Sequence, residues 1–208
     1  MNIFGRWFVA NVAGMTIGLG THSFLAHGFT GLHGDTMTPV QWIAHIVSFG
    51  LAAAIIFFCQ RKSAPGLFQS GVAPVFRSGA LAILAFLGVW SLAGIPFDIL
   101  AAFLAFGLSL GLALRTRTKQ AVLALAATTA GAGIVTVGSG LPIAGKLMAA
   151  FGGGLAGDAT LWAYIGVVGG VSSGLLGSFA LRRIIANDSV AKSEGSGRLA
   201  TSAKVDVS

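Results

Sequence analysis

The sequence predicts an all-α, polytopic integral membrane protein with about six transmembrane helices in three hairpins and a disordered C-terminal tail. Three observations predict this fold class. Hydrophobic residues make up 55% of the 208 residues and charged residues only 9%, whereas a soluble domain normally carries about 25% charge. The apolar residues form six stretches near the length of about 20 residues that a helix needs to cross a bilayer. Most Lys and Arg residues lie in alternate gaps between these stretches.

Each predicted span is an apolar segment bounded by polar or turn-forming residues. Residues 78–114 are too long for one helix of ordinary tilt, so Gly94 and Pro96 are interpreted as a turn between the third and fourth spans. Proline is tolerated at the first helical position, because its missing N–H would have no helical partner there. The predicted spans are residues 5–26, 40–60, 78–94, 96–114, 120–141 and 159–181.

Two segments fall outside this pattern. Residues 142–158 are too short an apolar stretch to cross, and two interpretations remain open: an interfacial or partly re-entrant segment, and a plain external loop. From Ile184 onward the residues are mainly polar or small, without periodicity, and such a segment cannot bury enough apolar area to fold. The expected organisation is a helical bundle over residues 1–183 and a disordered cytoplasmic tail over residues 184–208.

The distribution of basic residues predicts the orientation. Of the thirteen Lys and Arg residues, only Lys146 lies away from the N-terminus, the alternate gaps and the C-terminal tail. Because cytoplasmic loops carry the excess of Lys and Arg, both termini are expected in the cytoplasm. With its high Ala and Gly content, the chain is expected in a bacterial inner membrane. The net charge of +7 predicts that the basic residues contact the anionic lipids of the cytoplasmic leaflet. Nucleic acid is not expected, because the basic residues form no stripe on one face.

All four histidines lie in the first hairpin. His22 is near the outer end of the first span and His45 near the outer start of the second. Since the two helices run antiparallel, these side chains are expected at the same depth and can meet. His27, His33 and Asp35 crowd the connecting loop. Ionisable groups within a membrane usually face the bundle interior and are candidate functional residues.

Polar residues at helical spacing extend this pattern, with Asn11 on the first span and Gln41 and Ser48 on the second. Three interpretations of the histidines remain open. In the first, they form hydrogen bonds across helices and in a solvated loop. In the second, they hold a transition metal or a proton. In the third, two of them ligate haem. No cofactor is the leading expectation. The metal or proton site would use some of His22, His27, His33, Asp35 and His45, and the haem site His22 and His45, with Gly18 making room.

The two acids near the spans are interpreted as helix caps. Asp98 follows Pro96 in the first turn of the fourth span, where free N–H groups and the helix dipole favour a carboxylate. Asp158 precedes the last span and is expected to be its N-cap.

Small residues recur every four positions in three spans and predict close helix packing. Packing inside one bundle and an interface with a second copy or another membrane protein both remain open. The predicted ridge residues are Gly14, Gly18, Gly107, Gly111, Gly166, Gly170, Gly174 and Ser178.

No motif for a familiar enzyme is present, so an enzymatic role is uncertain and not favoured. The expected function is transport or channel-like passage of a cation or small solute, with the histidine-bearing hairpin on the outer side. The alternatives are an accessory or assembly protein that docks through its glycine ridges, and a redox subunit carrying haem or a metal.

Overall fold

The computed structural model describes residues 2–28, 38–71, 73–93, 97–115, 118–152 and 154–205. For some residues in these ranges, Asp98 among them, only the backbone is described. The helices are α1 (Ile3–Gly28), α2 (Pro39–Ser63), α3 (Ala73–Ala93), α4 (Phe97–Leu112), α5 (Lys119–Val135), α6 (Leu141–Ala150) and α7 (Gly154–Val205), with a π-helical turn over Thr136–Gly140.

The predicted all-α fold class is confirmed over this part of the chain. The described residues contain no β-strand, only one isolated antiparallel bridge between Phe68 and Leu114. Three described segments are long and apolar enough to cross a membrane: α2, residues 119–139, and α7 as far as Asn187. The apolar part of α4, Ile99–Leu112, is shorter. Length and composition of the described helices therefore establish three candidate spans and not the six expected.

Six helices pack in a ring. Each contacts the next in the order α1, α2, α3, α4, α5 and α7, and α7 packs back against α1. The centre is filled by apolar side chains from opposite sides: a methyl group at Gly169 of α7 would lie 2.9 Å from Phe103 Cζ and 3.4 Å from Met15 Sδ. The main apolar core thus lies inside the ring, with a second, smaller cluster at Leu19 and Ile165.

The bundle has two chemically distinct ends. One end, here called the basic end, carries the start of α1 and the end of α2, and there Arg182 of α7 lies over the Phe4 ring at 4.7 Å. Arg61 and Lys62 stand in the last turn of α2 at this end. The opposite end, called the histidine end, carries the end of α1 and the starts of α2 and α7.

Two loops close the basic end. The segment after α2 pairs with the segment after α4, with Gln69 N donating to Ala113 O at 2.9 Å and Arg115 N donating to Leu67 O at 2.8 Å. This pairing holds Phe68 in the core, where its ring stacks on Trp7 with 6.1 Å between centroids. Arg115, expected only as an orienting charge, also donates its Nε–H to Phe68 O at 3.0 Å.

Residues 142–150 and 154–158 are helical and do not form the plain loop that was one expectation, whereas the interfacial or partly re-entrant segment stays a prediction. The π-helical turn joins α5 to α6 directly, and Pro142 is the second residue of α6. Proline lacks an N–H and clashes with the preceding helical turn, and the wider π turn gives it room. At 1.5 Å per residue, residues 119–150 span about 48 Å, more than the roughly 30 Å core of a bilayer.

The tail also differs from the expectation of disorder, because α7 continues to Val205. Among the side chains of α7 that the structure describes, Ile184 is the last buried apolar one. Beyond it the segment contains no proline and several good helix formers such as Ala, Lys and Glu, so helix propensity alone allows the helix to continue.

Candidate functional site

The candidate site lies at the histidine end, between α1, α2 and α7, and glycines hold these helices together. On α7, a methyl group at Gly166 would lie 2.6 Å from Met15 O, and one at Gly170 would lie 2.6 Å from Val12 Cα. On α1, a methyl group at Gly18 would lie 2.9 Å from Ala52 O of α2. Because the backbones approach this closely, short polar side chains at the same end reach across the interfaces.

The predicted ridges therefore pack within the chain. Gly174 continues the α7 ridge against Phe8, and Gly107 and Gly111 of α4 pack against α5. Ser178 does not continue the ridge: its hydroxyl donates to Gly174 O of its own helix at 2.6 Å, and Gly177 faces Trp7 instead. One-turn steps of four residues drift around a helix of 3.6 residues per turn, which explains the change from Ser178 to Gly177.

His22 and His45 meet as the antiparallel hairpin predicts. Their ring centroids are 5.3 Å apart in an edge-to-face arrangement, and both side chains are buried. His22 Nδ1 and Ser48 Oγ are 2.9 Å apart and share a hydrogen bond. The His22 ring also touches Trp162 of α7, with 5.2 Å between centroids. His22 Nε2 is buried and has no hydrogen-bond partner among the described residues.

His27 joins the same group and brings a carboxylate with it. Its ring centroid is 5.0 Å from that of His45, and its Nδ1 lies 2.6 Å from Asp158 Oδ2. Ser23 Oγ donates a second hydrogen bond to the same carboxylate oxygen. A buried carboxylate is stable only when it is paired and hydrogen-bonded, and these two partners supply that pairing. His22, His27, His45 and Asp158 are called the histidine cluster below.

The expected cap role of Asp158 is corrected by this geometry. Helix α7 begins at Gly154, so Asp158 lies beyond the first turn, and its carboxylate faces α1 instead of the free N–H groups of its own helix. The sequence placed the start of this helix five residues too late, because residues 142–158 were interpreted as a segment that does not cross the membrane. Asp98 is in the first turn of α4 as expected, but its side chain lies outside the described residues.

The remaining predicted residues divide between the two ends of α1 and α2. Gln41 and Ser48 are buried at the histidine end, and Gln41 forms a reciprocal capping box with Thr38 at the start of α2. Asn11 is buried near the basic end, where Gln60 Nε2 donates to its Oδ1 at 2.7 Å. His33 and Asp35 lie outside the described residues, so the loop part of the proposed ligand set is not placed.

Two residues of the site, Ser23 and Trp162, were not among the residues predicted for it. Ser23 points towards α7, where its hydroxyl donates to Asp158. Trp162 of α7 contacts the His22 ring. The glycine ridge of α7 is the sequence feature from which these residues could have been found. Helices packed through Gly166 and Gly170 bring the first turns of α7 beside the last turns of α1.

Haem does not fit between His22 and His45. The two rings touch each other directly, and the space beside Gly18 is occupied by the α2 backbone. For a metal ion, no three His, Cys, Asp or Glu side chains within the described ranges are arranged as a ligand set. The cluster is therefore an assembly of hydrogen-bonding and proton-accepting groups, and its one carboxylate can balance a single positive charge brought into the site.

A small apolar cavity lies beneath the cluster, towards the middle of the bundle. Its volume is about 50 Å³, and Leu19 and Phe49 connect it to His22: Leu19 is one helical turn away, and the Phe49 ring centroid is 5.3 Å from that of His22. An idealised transfer of a bare ion from water into such an apolar medium costs on the order of 20 kcal/mol. The lining residues are Met15, Leu19, Phe49, Ala52, Ala53, Ile56, Ala102, Phe103 and Phe106.

Comparisons with protein-family models, with curated proteins and with solved structures find no match for this chain.

Proposed function

We propose that this chain is a six-span inner-membrane protein of bacterial type that passes a small cation or solute, with the histidine cluster as its outer binding site. The observation that carries this proposal is the enclosure of three imidazoles and one carboxylate at one end of a closed helical ring. Intramembrane ionisable groups are costly and characteristically mark ion or substrate pathways. Four such groups in one place therefore favour a functional site over packing alone.

The proposal of six spans rests on which side chains of α1 are buried and which are exposed. Its polar residues Asn11, His22 and Ser23 are buried, whereas Val9 and Ile17 are at least half exposed. A soluble amphipathic helix exposes its polar face, whereas α1 buries these polar residues and exposes apolar side chains. The polar groups that lower the hydropathy of α1 therefore do not face lipid, and α1 is proposed as a span despite its composition.

Orientation follows from the two ends. The basic end is proposed to face the cytoplasm, with both termini there, because Lys and Arg concentrate on that side of a membrane. Cysteine at Lys62 and at Lys146, each in a Cys59→Ala background, tests this orientation with a membrane-impermeant maleimide on intact cells. Labelling of the Lys146 position alone is expected, and labelling of the Lys62 position from outside would reverse the orientation.

Transport itself is tested with purified protein in lipid vesicles. Inward gradients of Na⁺, K⁺, Zn²⁺ and methylammonium are imposed one at a time, and entry is followed with trapped indicators. At least one of these probes is expected to enter faster than in protein-free vesicles, and the rate is expected to fall about ten-fold in His22→Ala. The matched control is Thr129→Val, which removes a buried hydroxyl that bonds only within α5. Equal rates in wild type and His22→Ala for every probe would refute the role of the cluster.

The alternative of docking through glycine ridges is less well supported. The predicted ridges on α1, α4 and α7 are covered by neighbouring helices of the same chain, so none of these ridges is left on the outer surface for a partner. The redox alternative lacks room for haem between His22 and His45.

A further inference from the structure

We propose that the solute belongs to the small weak bases, ammonium or a small primary alkylammonium, which is bound as a cation at the histidine cluster and crosses the ring as the neutral amine. This inference rests on the proposed transport function and names its substrate class. It is carried by the position of the apolar cavity directly below the cluster.

The cluster has the chemistry to bind such a cation. Asp158 supplies a negative charge, and the aromatic rings of Trp162 and Phe49 lie beside His22, where a cation over a ring face is attracted by the π-electrons. The buried His22 Nε2, which has no partner among the described residues, can accept an N–H hydrogen bond. A primary ammonium group offers three N–H donors and ammonium four, which suits a site rich in acceptors.

The cavity selects against charge. All nine side chains that line it are apolar, so nothing there replaces the hydration shell of an ion. Its volume of about 50 Å³ has room for one or two molecules of the size of water, which occupies about 30 Å³ in the liquid. Ammonia is of that size and is uncharged, so it can enter where ammonium, K⁺ and Na⁺ cannot.

The same arrangement interrupts a proton path below the cluster. Next to His22, the interface of α1 and α2 contains Leu19, Ala52 and Ile56, which have no exchangeable proton, and only one turn further the Cys59 thiol beside Gly14. A proton accepted at the cluster therefore meets an apolar gap among the described side chains, and the cavity in that gap is the space through which the neutral molecule is proposed to pass.

The proton step balances within the cluster. One N–H bond of the ammonium breaks, its proton passes to an imidazole nitrogen of the cluster, and the electron pair remains on the departing neutral amine. At the basic end the amine takes a proton from water. The imidazolium returns its proton to water at the histidine end, so each cycle transfers one neutral base and no net charge.

The test uses the full chain in phosphatidylcholine–phosphatidylglycerol vesicles containing a trapped pH indicator. A neutral amine that enters takes up a proton inside, so an inward methylammonium gradient is expected to make the interior alkaline. We expect a rate at least ten-fold above protein-free vesicles, unchanged by a membrane potential. Ala102→Val adds two carbons at the cavity wall and is expected to reduce the rate at least ten-fold. Leu104→Val on the exposed face of α4 serves as its control and leaves the rate unchanged.

Each other outcome has a definite meaning. If K⁺, Na⁺ or Zn²⁺ enters in a manner that requires His22 and methylammonium does not, the substrate class is wrong and the transport proposal stands. If no probe enters, both fail. A rate that falls in His22→Ala but not in Ala102→Val overturns the route through the cavity. Ala52→Val fills the cavity from the opposite wall and replaces Ala102→Val if that variant does not fold.

Discussion

Replacing Gly170 by alanine tests whether the contact between α1 and α7 builds the site. The new methyl group would lie 2.6 Å from Val12 Cα and 2.8 Å from Asn11 O. Ordinary van der Waals contact begins at 3.4 Å, so the helices must separate by about 0.8 Å, the difference between 3.4 and 2.6 Å. Neither neighbouring atom can rotate away, because both belong to the backbone.

If α1 and α7 separate as rigid bodies, the same increase in distance occurs at the histidine cluster. The distance between His27 Nδ1 and Asp158 Oδ2 is 2.6 Å, and adding 0.8 Å gives 3.4 Å. That value exceeds the roughly 3.2 Å limit of a good hydrogen bond. A single methyl group three turns away is therefore expected to weaken the pairing that stabilises the buried carboxylate.

The free energy of unfolding gives the size of the effect. Overpacking costs about 1–3 kcal/mol, with the upper end expected against backbone atoms, whereas alanine gains about 1 kcal/mol over glycine in a helix interior. The net loss for Gly170→Ala is about 2 kcal/mol. Gly20→Ala is the matched control, because nothing lies within 4 Å of that position on α1, and it is expected to gain up to about 1 kcal/mol.

Unfolding of both variants in mixed detergent micelles with increasing SDS, followed by circular dichroism, measures this difference of about 3 kcal/mol. The cluster is monitored in parallel through methylammonium entry. If Gly170→Ala is as stable as Gly20→Ala and keeps its transport rate, the α1–α7 contact does not determine the site, and the reasoning from the ridge is refuted.

Three further changes have defined outcomes in the same unfolding assay. Asp158→Leu is expected to cost about 2 kcal/mol more than Asp158→Asn, because leucine leaves two buried donors without their acceptor at about 1–3 kcal/mol each; equal costs would show that the carboxylate is not needed as an acceptor. A double-mutant cycle with Asn11→Ala and Gln60→Ala is expected to give a coupling energy of about 0.6–1.7 kcal/mol, the range for hydrogen bonds between membrane helices; a value of zero would deny their hydrogen bond. Phe68→Ala is expected to cost about 3 kcal/mol through lost core packing against Trp7, and a cost below 1 kcal/mol would show that the loop pairing does not hold Phe68 in the core.

The sequence predicted the helices well, because in a membrane protein their positions follow from apolar length and from turn residues. The turn near Gly94 and Pro96 was placed between helices that end at Ala93 and begin at Phe97. The errors occurred where these rules do not apply. A π turn before Pro142 is not visible in hydropathy, and a polar helix such as the end of α7 carries no apolar period to detect.

Three of the four members of the histidine cluster were predicted as candidates, although His27 was expected in the connecting loop and lies on α1. His22 and His45 were paired because a hairpin fixes the relative depth of its two helices, and this argument needs no knowledge of packing. Asp158 was missed because its partner helix is distant in sequence, and a local rule gave its carboxylate a role as a cap. The ridge of Gly166 and Gly170 was recognised, but the sequence does not state which helix faces it.

The ridge and the cluster depend on each other physically. A buried carboxylate and three imidazoles need partners within about 3 Å, and side chains as short as those of Ser23 and Asp158 span an interface only when the helix backbones nearly touch. Glycines at the contact between α1 and α7 provide that approach, while Val9 and Ile17 of α1 face outward. Because these glycines carry no side chains that would separate the helices, the polar groups at the end of the contact lie close together. The side chains that line the cavity below them are apolar, and for this reason the proposed solute, bound as a cation, is expected to cross the ring in neutral form.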